Sequence, residues 1–238
     1  MANAIKNILE KENIRYMITF GTLLGAVRHK GFIPWDDDFD FFLFYEDYEK
    51  AVTALRKELP KDMFLEDKES EPLYFHSWAH VKDLNTIAEC GQFPQDNLYS
   101  HKGLSVDLYV AKKMDERDID LFRLKEELLY RERLFKIGFI DEQHFMSVKQ
   151  ELENQIENEK EYIKYQPIKG EQLGMVLRER MMYCNEVFPL VEYCFENTTF
   201  YGPQNADAVL KRFYGDYLQL PPIEDRATHY DKVDFLNK

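Results

Sequence analysis

The stretch DFDFFLFY, residues 38–45, constrains the fold more than any other part of this chain. After its two aspartates the side chains are apolar on both alternating faces, as in a strand covered from both sides. Such a strand needs packed layers above and below its sheet, which points to a sheet core flanked by helices. Asp38 and Asp40 stand one residue apart at the head of this strand. If both lie within it, they emerge on the same face. Same-face carboxylates begin a site for a hard divalent cation, Mg²⁺ or Mn²⁺, which prefers oxygen ligands and can also hold substrate phosphates.

The preceding residues, GTLLGAVRHKGFIPWDD, supply the surroundings of such a site. An apolar run at 15–20 reads as a core strand ending at Gly21. Thr22 is placed to cap a helix over 23–29, and free N–H groups at a helix start attract phosphate. Gly21 permits close backbone approach to a ligand. Asp36 and Asp37 lead into the acidic strand as further candidates for contact with metal or substrate. Asp107, within the alternating strand SVDLYV, is the best third carboxylate, because an aspartate inside a strand is costly unless a cation compensates it. Arg28 and Lys82 are candidate phosphate clamps. Arg226 and His229 lie in the polar tail PPIEDRATHYD and are candidate substrate contacts. Trp35, after Pro34, reads as a packing anchor. His76 and His80 have a spacing that binds zinc on a helix, but LYFHSWAHVKD reads as strand and turn, so no zinc site is expected.

Across all 238 residues, 45% are hydrophobic and 15% aromatic, which excludes a disordered chain. A formal net charge of −13 argues against nucleic acid as the main partner and against adsorption to an anionic membrane through charge alone. No apolar run is long enough for a transmembrane helix, and the first residues lack the apolar stretch of a secretory signal. Cys90, Cys184 and Cys194 form no metal-ligand spacing and fit buried free thiols in a reducing cytoplasm. The coarse reading is an α+β chain with a mixed β-sheet core flanked by helices and a helical insertion or layer. Strands are expected at 38–45, 80–82, 86–90 and 105–110, and helices at 47–59 and 205–214. From 119 to 188 helical periodicity replaces alternation, and a strand pair is expected over 193–200. The divisions are 1–112 for the core, 113–190 for the helical region and 191–238 for a C-terminal segment that completes the site.

GTLLGAVRHKGFIPWDDDFD resembles the signature of the LicD family, which includes fukutin and fukutin-related proteins. WAHVKDLNT, SVDLYV and FYGDYLQLPPIEDRATHYD resemble further blocks of that family, so the resemblance covers most of the chain. Lys82-Asp83 lacks the family's intervening Arg, and Tyr230 stands where a second tail His is usual. The resemblance implies a nucleotidyltransferase-like fold. It also implies transfer of a phosphorylated alcohol, phosphocholine-like, from a CDP-activated donor to a hydroxyl of a cell-surface glycan, lipopolysaccharide or teichoic-acid precursor. On it, Asp38, Asp40 and Asp107 match the metal-binding and catalytic carboxylates, and Gly21-Thr22 matches the turn near the donor phosphates. The implied partners are a CDP-alcohol and a glycan or lipid-linked glycan, met in the cytoplasm or peripherally at the inner membrane face. Two other readings stay open: transfer of a nucleoside monophosphate to a small molecule, and a non-catalytic nucleotide-binding role in glycan assembly.

Overall fold

The computed structural model describes residues 1–91, 94–175, 181–226 and 228–236. In chain order the elements are α1 (Ala2–Lys11), β1 (Tyr16–Ile18), α2 (Phe20–Arg28), β2 (Asp40–Phe44), α3 (Tyr45–Glu58), β3 (Met63–Glu66), β4 (Ala79–Asp83), β5 (Thr86–Cys90) and β6 (Ser105–Asp115). Then follow α4 (Ile119–Lys136), α5 (Glu142–Ile163), β7 (Glu171–Met175), β8 (Met182–Tyr183), α6 (Cys184–Val187), β9 (Val191–Phe195), β10 (Thr198–Gly202), α7 (Ala206–Tyr214) and β11 (Tyr230–Phe235). The fold is α+β.

The main sheet runs β1-β2-β6-β4-β3, with β7 paired to the far half of β6 and β8 to β7. Among the described residues, only β2 and β6 run parallel within it; its other pairings are antiparallel. β2 is buried along its whole length, with Phe41, Phe42 and Leu43 fully enclosed. Each such side chain contributes about 1.5–3 kcal/mol by leaving water. Helix α1 turns Ile5, Ile8 and Leu9 into the core, and α3 turns Ala51, Val52 and Leu55 inward, as their helical spacing requires. The hairpin β9–β10 adds Phe195 and Phe200, whose rings meet Phe39 at centroid distances of 5.3 and 5.0 Å. A separate ribbon pairs β11, from the tail, antiparallel to β5.

Four expectations need correction. β2 begins at Asp40, so Asp38 is not a strand residue. Asp37 accepts backbone N–H groups from the tail, which takes residues 36–38 out of the ladder. Thr22 lies inside α2 rather than capping it, and Thr19 is the N-cap residue. The region 113–190 is not purely helical: β6 runs on to Asp115, and β7 pairs with that extension. Positions 176–180 of that stretch lie outside the described residues. The cysteines are free as expected, but Cys90 and Cys184 are half-buried and Cys194 is exposed. Among the described residues, no helix is long and apolar enough to cross a membrane.

Candidate active site

Parallel pairing of β2 with β6 sets Asp40 opposite Asp107. Partners in a ladder share a face, so the two carboxylates leave the sheet side by side. Asp40 is almost fully buried. Its backbone N–H donates to Thr22 Oγ1 at 2.8 Å, which ties α2 to the head of β2. The backbone N–H of Asp107 donates to Phe39 O at 2.9 Å, extending the ladder one rung toward the acidic loop. On the same face the Tyr109 hydroxyl donates to Asp107 Oδ2 at 2.8 Å.

Residues 36–38 and His229 complete the acidic centre. Asp36 packs against α2 so closely that a Cβ on Gly21 would strike its Oδ2. The close approach anticipated for Gly21 is thus made by this carboxylate. His229 Nδ1 lies 2.9 Å from Asp37 Oδ1 and 4.0 Å from Asp36 Oδ1, while its Nε2 lies 3.4 Å from Asp38 Oδ2. Hydrogen bonding to Asp37, reinforced by the charges of Asp38, Asp37 and Asp36, pushes the imidazole up to about 9. Burial pushes the Asp38 carboxyl up to about 8, aided by the charges of Asp36 and Asp107 and a hydrogen bond to Asp36. Burial likewise raises Asp36. Burial works to raise Asp37 too, but the side-chain and backbone hydrogen bonds from His229 and the backbone bond from Tyr230 outweigh it, so Asp37 is lowered.

The tightest gathering of potential metal ligands among the described residues is Asp36, Asp37 and His229, with donor atoms within 4.8 Å of one another. An imidazolium has no lone pair to offer, so His229 in its charged form acts there as a counter-cation rather than a ligand. Asp38, Asp40 and Asp107 lie outside that gathering but present oxygen donors only, the kind a hard cation prefers, and burial is the main cause that raises Asp38, with the charges of Asp36 and Asp107 adding to it.

The remaining candidates fall into two groups. Arg226 lies over the Trp35 ring at 4.3 Å, and its charge is felt at Arg28, whose Nη1 donates to Tyr217 O at 2.7 Å. Trp35 also packs against the main core. Lys82, by contrast, is buried, and its ammonium sits 3.8 Å from Glu66 Oε2, away from the open phosphate-clamp role expected of it. Sequence reasoning missed His80 as the neighbour of Asp107, and Glu66 behind it. His80 Nε2 is 3.3 Å from Asp107 Oδ1, and Glu66 Oε2 is 3.5 Å from His80 Nδ1. Burial pushes His80 down to about 3 and Glu66 up to about 7. His80 was traceable, since it alternates with Lys82 on β4, but nothing in MFLE marks Glu66 as part of a site.

Residues 13–88 match the nucleotidyltransferase domain model of the LicD/FKTN/FKRP family. Over 247 residues the chain is 29% identical to the lipopolysaccharide cholinephosphotransferase LicD of Haemophilus influenzae, covering 94% of this chain and 89% of that protein. It is 60% identical over 134 residues to an uncharacterised protein of Rickettsia typhi, covering 56% of this chain and 37% of that one. A 46-residue stretch is 44% identical to human ribitol 5-phosphate transferase FKRP, covering 19% of this chain and 9% of that protein.

Proposed function

From its LicD-family domain at residues 13–88, we propose that this chain moves a phosphorylated alcohol from a CDP-activated donor to a hydroxyl of a cell-surface glycan precursor. The observation that carries the reading is the in-register pairing of Asp40 with Asp107, with Asp38 close enough for its charge balance to depend on Asp107. The similarity to a lipopolysaccharide cholinephosphotransferase over most of both chains supports the substrate class.

Asp38, Asp40 and Asp107 would hold Mg²⁺ or Mn²⁺. When bound, the cation would neutralise the donor diphosphate and favour CMP as leaving group. The start of α2, at Gly21 and Thr22, offers backbone N–H groups to the same phosphates. Arg28 and Arg226 add positive charge beside Trp35. Asp107 orients the acceptor hydroxyl and accepts its proton as the hydroxyl attacks the distal phosphorus. His229 balances the acidic loop and keeps the tail against it.

The test is a panel of CDP-choline, CDP-ribitol, CDP-glycerol and CDP-ethanolamine with Mg²⁺ or Mn²⁺, read by melting temperature and by CMP release. One donor should stabilise the protein and yield CMP, and Asp40→Asn should abolish the yield. Pyrophosphate release from a nucleoside triphosphate, with no response to any CDP-alcohol, would replace this reading with nucleotidyl transfer.

A further inference from the structure

Four neighbouring strands carry ionisable side chains at mutually paired positions: Asp40 on β2, Asp107 on β6, His80 on β4 and Glu66 on β3. Ladder partners share a face, so these groups form one polar row across the middle of the sheet. The row runs inward as well as across, since His80 is 3% exposed and Glu66 is fully enclosed.

Fold stability does not account for its inner half. Both Glu66 oxygens and His80 Nδ1 are buried without a hydrogen bond. Burying such groups is costly, and replacing a whole buried ion pair by apolar side chains is often neutral or stabilising. Lys82 offers Glu66 a countercharge at 3.8 Å, and the His76 ring, itself 2.8 Å from Asp96, lies beside His80 at a centroid distance of 4.8 Å. A fold that keeps these groups together in its interior has a use for their order.

That use is visible at Asp107. Tyr109 donates to Oδ2 from one side, and His80 Nε2 stands at 3.3 Å from Oδ1 on the other. Each carboxylate oxygen has two lone pairs, so both neighbours together still leave one lone pair per oxygen for a cation or an acceptor hydroxyl. Glu66 Oε2 stands 3.5 Å from the opposite ring nitrogen without a hydrogen bond and packs that edge of the imidazole, so that Nε2 is the nitrogen facing Asp107. We propose that His80, oriented by Glu66, is a positioning residue that holds the Asp107 carboxylate in its working geometry. This rests on the functional reading above, in which Asp107 meets the cation and the acceptor.

The experiment compares His80→Leu, His80→Gln and the double variant Glu66→Leu with Lys82→Met against wild type. It measures the dissociation constant for Mn²⁺ alone, kcat and donor KM for CMP release, and melting temperature. His80→Leu should weaken Mn²⁺ binding and lower kcat by about 10- to 100-fold, as loss of a partner that orients a metal ligand does. Donor KM should stay near wild type. His80→Gln, whose amide N–H can reach toward the Nε2 position, should recover part of the loss. Glu66→Leu made together with Lys82→Met, so that no buried ammonium is left stranded, should shift kcat the same way while melting no lower than wild type, a combination a merely structural role would not produce. In an Asp107→Asn background, His80→Leu should have little further effect on Mn²⁺ affinity. If His80→Leu fails to fold, the other two variants decide.

Unchanged Mn²⁺ affinity and kcat in the folded His80 variants would overturn the inference alone. So would losses that simply follow the melting temperature or add to those of Asp107→Asn. Wild-type protein that neither binds Mn²⁺ nor releases CMP would overturn the functional reading, and this inference with it.

Discussion

The hydroxyl of Thr22 accepts the backbone N–H of Asp40 at 2.8 Å, joining the first turns of α2 to the first residue of β2. Both partners are buried, so the bond has no water to replace it. Thr22→Val keeps the shape but strands the Asp40 N–H, at a cost of about 1–3 kcal/mol. Thr22→Ser should stay near wild type. Urea unfolding of both variants checks this, and the Val variant should also lose CMP release, because it frees the carboxylate's own backbone.

Gly21→Ala should be harsher for activity than for stability. The added Cβ meets Asp36 Oδ2, the end of a side chain that can swing aside, so the fold can absorb it. Swinging Asp36 away breaks its hydrogen bond with Asp38 and its place beside His229. The expected result is a small change in melting temperature with a fall in kcat of at least about tenfold, equivalent to about 1.4 kcal/mol of barrier. Steady-state kinetics beside a melting curve separates the two effects.

The acidic centre also sets a dependence of stability on pH. His229 is raised to about 9, so its contribution is complete below its ordinary value of 6.5 and is lost as pH climbs through 9. Asp38 is raised to about 8, so between the ordinary carboxylate range and that value the native state holds a proton that the unfolded state has released. Both effects make stability fall with rising pH. His80, lowered to about 3, acts with opposite sign but only below 6.5, and Glu66 is exhausted by about 7. In EDTA, melting temperature should therefore decline between pH 7 and 9. The double variant Asp38→Asn with His229→Gln should flatten that decline. A rise in wild-type melting temperature over this window would contradict the assignment.

Much of this site can be read from the order of residues, because its parts sit on strands with strong signals. FFLF announces a strand buried on both faces, although Tyr45 after it opens α3, and SVDLYV shows Asp107 as the odd carboxylate in an alternating run. What escaped is what only strand order supplies. Asp40, Asp107, His80 and Glu66 become one row because β6 lies between β2 and β4, and β4 beside β3. No local pattern encodes that neighbourhood. The position of Asp38 escaped for a different reason: the tail residues His229 and Tyr230, far along the chain, capture Asp37 and hold the loop out of the strand. Lys82 reads as a phosphate clamp because nothing in AHVKD shows that Glu66 lies 3.8 Å from its ammonium inside the fold.

The tail itself is anchored by Tyr230, and that anchor is open to a separate test. Its hydroxyl accepts the Ser105 backbone N–H at 3.1 Å and pairs with Ser105 Oγ at 2.8 Å, at the start of the strand that carries Asp107. Its backbone N–H reaches Asp37 at 3.2 Å, next to the bonds from His229. One residue thus links β6, the acidic loop and β11. Tyr230→Phe keeps the ring and removes only the hydroxyl, leaving the Ser105 N–H without its acceptor at a cost of about 1–3 kcal/mol. Because β11 is otherwise held to the rest by its pairing with β5, the loss should appear first as local release of the tail. Hydrogen exchange should show faster amides over 228–236 with those of β2 unchanged. Uniform acceleration across both segments would mean that the hydroxyl supports the whole fold rather than the seating of the tail on the site.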